Sequence, residues 1–386
     1  MDEGCRARSD RGIATTAFVA GLLAMIAEAG AGDTLVPDLT IGNEAFNLGF
    51  YGQVDTGVLH ADDGRDGRWY VPAGNGNSST RFGILFHAGE PGHASFGANY
   101  EFEYDAFSTK YLNQENDGDP DWNRFLTRKA EIFVDSRLGK LWFGQGSMAS
   151  DQTAEVDLSG TTVIGNSNVS DLAGGQLFAV KGGGLSGFSV KDVFTNLDGV
   201  GRKLRVRYDT PTFAGFTLSG SYGTQVIPEP TDVDEWDAAL RYAGEFGAFR
   251  VAGAVAYSGK GRERRPYGVY DGSVSLLHVP SGLSLTAASG HNDRKDDSDR
   301  AYTYAKIGYQ RDFFAVGATA LSADVYSGSG IRIAHSSGSS WGLQVVQNFD
   351  YCQTQLYLGY REYDYEDREA GYKPLRALLT GARVKF

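Results

Sequence analysis

The chain has 386 residues and a formal net charge of −12, with 52 Gly, 21 Tyr and 22 Phe set against only 3 Met and 10 Pro. That acidity argues against a nucleic-acid binder, which carries a basic patch. Past the first residues no apolar run approaches the roughly 20 needed for a membrane-spanning helix, so a helical membrane protein is excluded. Glycine and aromatics in excess, with modest hydrophobicity, suit strands that are apolar on one face only.

At the start, Arg6, Arg8 and Arg11 precede an apolar run from Ile13 to Ile26, and Ala29-Gly30-Ala31 fits a small-residue cleavage pattern. Residues 1–31 therefore read as a secretory signal peptide and 32–386 as the mature domain. Asp2 and Glu3 are unusual so early in a leader, which suggests an initiator further in. Cys5 leaves with the leader, so the mature chain keeps Cys352 alone and has no internal disulfide.

From about residue 46 the dominant signal is period two. Residues 95–106 show it best: Phe96, Ala98, Tyr100, Phe102 and Tyr104 share one face, and Gly97, Asn99, Glu101, Glu103 and Asp105 the other. Strands are expected near 47–59, 79–89, 94–106, 124–136, 139–147, 201–209, 213–223, 234–246, 249–258, 268–279, 282–290, 300–311, 314–325, 338–349, 352–363 and 374–386. After every second strand the connection is tight and turn-like, as in GEPGH, SRLGK and GEFGA. The others are mostly longer and polar, and one, 148–200, is far longer. A soluble sandwich has no reason to sort its loops by parity. An outer-membrane barrel does, with short turns facing the periplasm and long loops outside. The expected fold is all-β: a transmembrane antiparallel β-barrel of about 16 strands, its last strand closing on the first. Aromatics near strand ends (Trp69, Tyr70, Trp236, Tyr302, Tyr304, Tyr360, Tyr363, Tyr365) suit interfacial girdles or packing against loops.

RKLRVRYDTPTFAGFTLSGSYG (202–223) resembles the hairpin that follows the constriction loop in proteobacterial general, trimeric outer-membrane porins. FYGQVDTGV (50–58), TRFGILF (80–86), LGKLWFGQG (138–146), LRYAGEFGAFRVAGAVAYS (240–258) and the strand ending in Phe386 resemble further segments of that family, in the same order. The resemblance implies a homotrimer of 16-stranded barrels in the outer membrane of a Gram-negative bacterium. It also implies passive diffusion of ions and small hydrophilic solutes through a lumen narrowed by the third long loop. Phe386 would then belong to the signal read by the outer-membrane assembly machinery, and lipid and lipopolysaccharide would be further partners. The segment 176–200 makes the third loop longer than usual for such proteins, and an acidic Pro-Glu-Phe-Gly motif is not recognisable in it.

Between Ser147 and Val180 there is no Lys or Arg, while Asp151, Glu155, Asp157 and Asp171 fall there. On the following strand Leu204, Val206 and Tyr208 face one way and Lys203, Arg205 and Arg207 the other. Arginine on a lipid face costs roughly 2–4 kcal/mol at mid-membrane, so the basic set faces water. The same parity turns Arg81 inward, with Gln53, Asp55, Glu101 and Arg241. Near 124–136 alternation points Lys129 inward while the family resemblance points to Arg128, and a bulge would reconcile them. The expectation is an acidic loop facing a basic cluster of Arg81, Arg128 or Lys129, Lys203, Arg205 and Arg207, with a transverse field across the gap.

GGGLSG (182–187) matches a dinucleotide-binding spacing, but no helix is expected after it. The six His show no metal spacing. The acidic stretches 115–121 and 291–299 are candidates at most for loop-bound Ca²⁺ or divalent bridging to lipopolysaccharide; no other cofactor is expected. No catalytic grouping is identifiable, so the chain is read as no enzyme. The alternatives are a substrate-selective outer-membrane channel and a secreted, soluble all-β adhesin or carbohydrate-binding protein.

Overall fold

A computed structural model of the chain describes residues 39–43, 45–89, 93–116, 121–261, 267–293 and 299–386. The leader expected at 1–31 lies outside these residues, as do parts of the two acidic stretches. Sixteen antiparallel strands close into one ring. They are β1 Phe46–Asp62, β2 Thr80–Ala88, β3 Ser95–Tyr104, β4 Phe125–Ser136, β5 Gly139–Ser147, β6 Arg202–Asp209, β7 Phe216–Thr224 and β8 Asp234–Phe246. The second half is β9 Phe249–Lys260, β10 Tyr267–His278, β11 Leu283–Asp293, β12 Arg300–Phe314, β13 Gly317–Ser329, β14 Ser337–Phe349, β15 Thr354–Glu366 and β16 Leu375–Lys385. Each falls within a few residues of its expected span. Connections sort by parity as read from the sequence, from two-residue turns such as 137–138 and 247–248 at one end to 105–124 and 148–201 at the other.

The ring closes where β16 pairs with β1, from Gln53 opposite Lys385 to Asp62 opposite Arg376. Below that seam a short strand, Thr40–Asn43, pairs with the start of β1. Above it, Gly67–Ala73 folds back on the end of β1, while the lower half of β1 pairs with β2. These additions leave no stretch of β1 without a neighbour, as a strand in lipid requires.

Alternation divides most strands cleanly. Val255, Leu285, Ile307 and Val325 point outward, each more than half exposed, while their neighbours Ala254, Thr286, Lys306 and Asp324 point inward and are buried. Over β12 to β16, however, the inner face is not simply polar. Tyr302, Tyr304, Tyr326, Tyr357, Tyr363 and Tyr365 point inward and form one apolar cluster with Leu59, Leu375 and Leu379 and with loop residues Ile164, Leu172, Phe178, Phe188 and Phe194. Phe194 lies 5.2 Å from Tyr363 and 5.5 Å from Tyr326 between ring centres, in the range of favourable aromatic pairs. Of the aromatics suited to a girdle, Tyr70, Tyr302, Tyr304, Tyr363 and Tyr365 therefore serve this internal core. Trp69 remains on the outer wall with a ring 64 % exposed, and Tyr360 stands outward beside Trp341, 5.4 Å away.

The outward set meets lipid, so Val255→Arg, in the middle of β9, should destabilise the barrel by roughly 2–4 kcal/mol. A urea titration read by the heat-sensitive gel mobility of the folded barrel measures this. An unchanged midpoint would place that face in water.

Candidate pore constriction

After β5 the chain turns into the barrel and follows the inner wall from β8 round to β15. Irregular backbone inside a barrel must find partners for its N–H groups, and short polar side chains on inward positions supply them. Asp237 on β8 accepts the Ser150 N–H (2.8 Å) and hydroxyl (2.6 Å). On β10, Asp271 accepts the Thr153 hydroxyl, Ser273 accepts Val156 N–H (2.8 Å) and Ser275 accepts Leu158 N–H (2.9 Å). Lys306 on β12 reaches both the Asp157 carboxylate (2.7 Å) and the Gly165 carbonyl (2.8 Å). Tyr326 and Tyr363 donate to the carbonyls of Thr195 and Val169, each at 2.7 Å.

The segment that lengthens this loop forms a hairpin, Leu177–Ala179 with Leu185–Ser189. It extends outward to pair at Val180 with Tyr372, in the loop before β16. GGGLSG is the tip of this hairpin. A helical turn does follow it, contrary to expectation, at Val190–Val193, but it is a single turn capped by Ser189 and Asp192.

The wall of β2 to β6, with the lower ends of β16 and β1, carries no such lining. Here some inward cations keep contact with water, Lys129 28 % and Lys140 27 % exposed, while Arg205 is 2 % exposed in its pair with Glu131; on the lined side Lys306 is 0 % and Arg361 1 % exposed. Inside a closed ring that exposure is exposure to the lumen. The interior is thus split into a packed sector and a wet sector.

Within the wet sector Arg128 binds Glu101 (2.7 Å) and Glu103 (2.8 Å), and Lys129 approaches Glu101 at 3.9 Å. Both point inward because Glu101 faces Lys129 and Phe102 faces Thr127, which makes Arg128 the extra residue of a bulge. Arg205 pairs with Glu131. Gly146 makes room for that pair, since a Cβ there would lie 2.8 Å from the guanidinium. Arg207 binds Asp209 (2.8 Å) and the Met148 carbonyl (2.9 Å), and Lys203 binds Glu235 (2.7 Å). Arg81 donates to Gln53 at 3.5 Å and stands opposite Glu103 of β3.

The four loop acids are not brought together on one surface. Asp151 is the one beside the wet wall, 4.0 Å from Arg202. Asp157 is locked in its buried pair with Lys306, and Asp171 pairs with Lys110 of the 105–124 loop at 3.1 Å. Glu155 is half-buried and accepts the Asn196 amide at 2.9 Å. Burial, with the nearby Asp171 charge, pushes its carboxyl up to about 7. Asp198, not singled out from sequence, sits beside it and accepts Gln152 and Ala154 N–H groups (2.8 and 2.9 Å); burial and the Glu155 charge raise its carboxyl well above the ordinary range.

Sequence reading also passed over Lys306 and the buried Arg361–Asp324 pair (2.7 Å). It read Arg241 as inward but gave it no role, and its guanidinium holds the Ala149 and Asp151 carbonyls at 2.6 and 2.8 Å. One signal was available: Lys306 shares its strand face with Tyr302 and Tyr304, and a lysine cannot be left in lipid cheaply. Phe386 lies at the seam, exchanging backbone hydrogen bonds with Gly52 (2.8 and 3.1 Å) and laying its ring over that glycine.

A closed ring of strands, greasy outside and part-wet within, defines a membrane channel. The model of the Gram-negative porin family matches residues 14–368. The chain belongs to that family and forms a passive channel in the outer membrane. Among solved structures it is similar to an anion-selective porin from Comamonas acidovorans (16 % identity, TM-score 0.59, covering 88 % of this chain and 99 % of that one). It is similar too to the trimer form of OmpT, an outer membrane protein of Vibrio cholerae (15 %, 0.54, 89 % and 100 %). A third is OmpF of Salmonella typhi, in complex with daunomycin (13 %, 0.52, 90 % and 100 %). Among curated proteins no sequence matches this chain.

Two outcomes follow from the loop anchors. Lys306→Met strands the buried Asp157 charge and should cost about 3–5 kcal/mol, most of it restored by adding Asp157→Leu, as thermal midpoints of the two variants would show. Glu155→Gln should stabilise the protein increasingly from pH 5 to pH 8. A carboxyl raised in the folded state favours folding at low pH, and that contribution is lost as pH rises through about 7. A pH-independent difference between variant and parent would contradict this.

Proposed function

We propose that this porin passes ions and small hydrophilic solutes through an off-centre constriction bounded by the wet wall of β2 to β6, with the lower ends of β16 and β1, and by the start of the third loop. The hydration of Lys129 and Lys140, against the full burial of Lys306 and Arg361, carries this reading: a charged side chain keeps hydration only where water has access. Arg81, Arg128, Lys129, Lys203, Arg205 and Arg207 form the basic side of the constriction. Of the loop acids, Asp151 contributes most to the opposing side; Glu155, Asp157 and Asp171 act chiefly by holding the loop in place. Charges of opposite sign across such a gap order water and disfavour apolar solutes.

The working unit is a homotrimer, a reading supported by the trimer form recorded for the Vibrio cholerae protein. Its neighbours are outer-membrane lipid and lipopolysaccharide, and Phe386 at the seam is offered to the assembly machinery. The reading involves transport without catalysis. One observation favours a degree of solute preference: Phe133 and Trp142 face the lumen 4.9 Å apart, with the Lys140 ammonium 3.9 and 4.1 Å from their ring centres. Planar-bilayer recording tests the whole. Stepwise, ohmic conductances closing in groups of three are expected. Absence of any channel would refute the reading, and conductance that saturates with a particular solute would move it to the substrate-selective alternative.

A further inference from the structure

Charge around the wet sector is unevenly compensated. Gln53 on β1 stands opposite Lys385 of β16 on one side and Arg81 of β2 on the other, and Asp55 stands opposite Arg383. Three cations thus fall on adjacent rows of two strands that flank β1, Arg383 and Lys385 on β16 and Arg81 on β2, across two strand spacings of about 4.8 Å each. Among the described residues none of the three has a carboxylate within 4.0 Å. Their hydrogen bonds go to neutral groups: Arg81 to Gln53, and Arg383 to Ser78 (2.7 Å) and Gln355 (2.9 Å). Asp55 is buried, with its carboxylate taken by the Tyr357 hydroxyl and the Asn75 amide.

The opposing acids are differently placed. Asp157 and Asp171 are neutralised by lysines, and Glu155 is half-buried behind Asn196. Asp237 and Asp271, buried in the wall beneath the loop, accept loop N–H and hydroxyl groups. The other basic residues of the constriction face carboxylates. Glu103 of β3 stands opposite Arg81, but its carboxylate and that of Glu101 are bound to Arg128, so what water in the wet sector meets without a close carboxylate is the cationic arc on β16 and β2. In a narrow, low-dielectric bore such an arc concentrates mobile ions of the opposite sign.

We infer that the open channel prefers small anions, inorganic or carboxylate- and phosphate-bearing, over cations although the chain is acidic, and that Arg81, Arg383 and Lys385 set this preference. The inference rests on the diffusion-channel reading and names its favoured solute class. Purified full-length protein in a planar bilayer under a tenfold KCl gradient tests it. The reversal potential should give a chloride-to-potassium permeability ratio of several-fold. Arg81→Gln, Arg383→Gln and Lys385→Gln together should bring that ratio to one or below. Lys385→Gln alone, at the exposed end of the arc, should lower it part of the way and serves if the triple variant does not fold. Arg376→Gln, on the outer wall, should leave it unchanged. Channels that favour potassium in the parent, or a ratio untouched by the arc variants, would overturn the inference while leaving the channel intact. No channels at all would instead refute the function itself.

Discussion

A strand in lipid has no water to take up its N–H and C=O groups, so every one must be paired by another strand, and each unpaired group costs several kcal/mol. Closure of the ring is the consequence on which everything else here depends. It explains the use made of the chain ends: β1 is shared between β16, β2 and two short flanking strands, and Phe386 is tied to Gly52 at the seam. It also forces an even division of side chains between outside and inside, because neighbouring residues on a strand have opposite faces.

The same closure creates an interior that must be filled or hydrated, and this chain does both. The third loop takes up one sector, held by hydrogen bonds from inward Ser, Thr and Asp side chains and by a cluster of tyrosines and leucines that behaves as an ordinary protein core. The remaining sector leaves Lys129 and Lys140 in contact with water. A loop anchored by a buried Lys306–Asp157 pair and by edge-to-face aromatics is a fixed wall. The constriction proposed beside it would therefore be set by the fold.

The strands were legible because period two and the parity of loop lengths are local signals that do not depend on which face is wet. The inward direction of the basic residues on β6 was legible for an energetic reason, the cost of arginine in lipid. What could not be read was the partner of each charge. Asp157 and Lys306 are 149 positions apart, and only the path of the loop brings them together. The tyrosines of β12 and β15 stayed open between girdle and internal packing because alternation distinguishes apolar from polar, not lipid from core. Where a loop packs inside, both faces of a strand are apolar and the pattern loses its direction. The bulge at Arg128 was foreseen because two independent cues, alternation and family resemblance, disagreed by one residue at that point.

Site-directed thiol labelling tests the divided interior most directly. In a Cys352→Ser background, single cysteines placed at inward Asn99 and Lys129, at inward Ser322 and Gln344, and at outward Ile84 and Val255 would be exposed to a small, membrane-impermeant thiol reagent in native outer membranes. The account predicts rapid labelling at the first pair only. Equal labelling at Ser322 and Gln344 would show a lumen that is wet all round, and labelling at Ile84 and Val255 would contradict the barrel's inside and outside altogether.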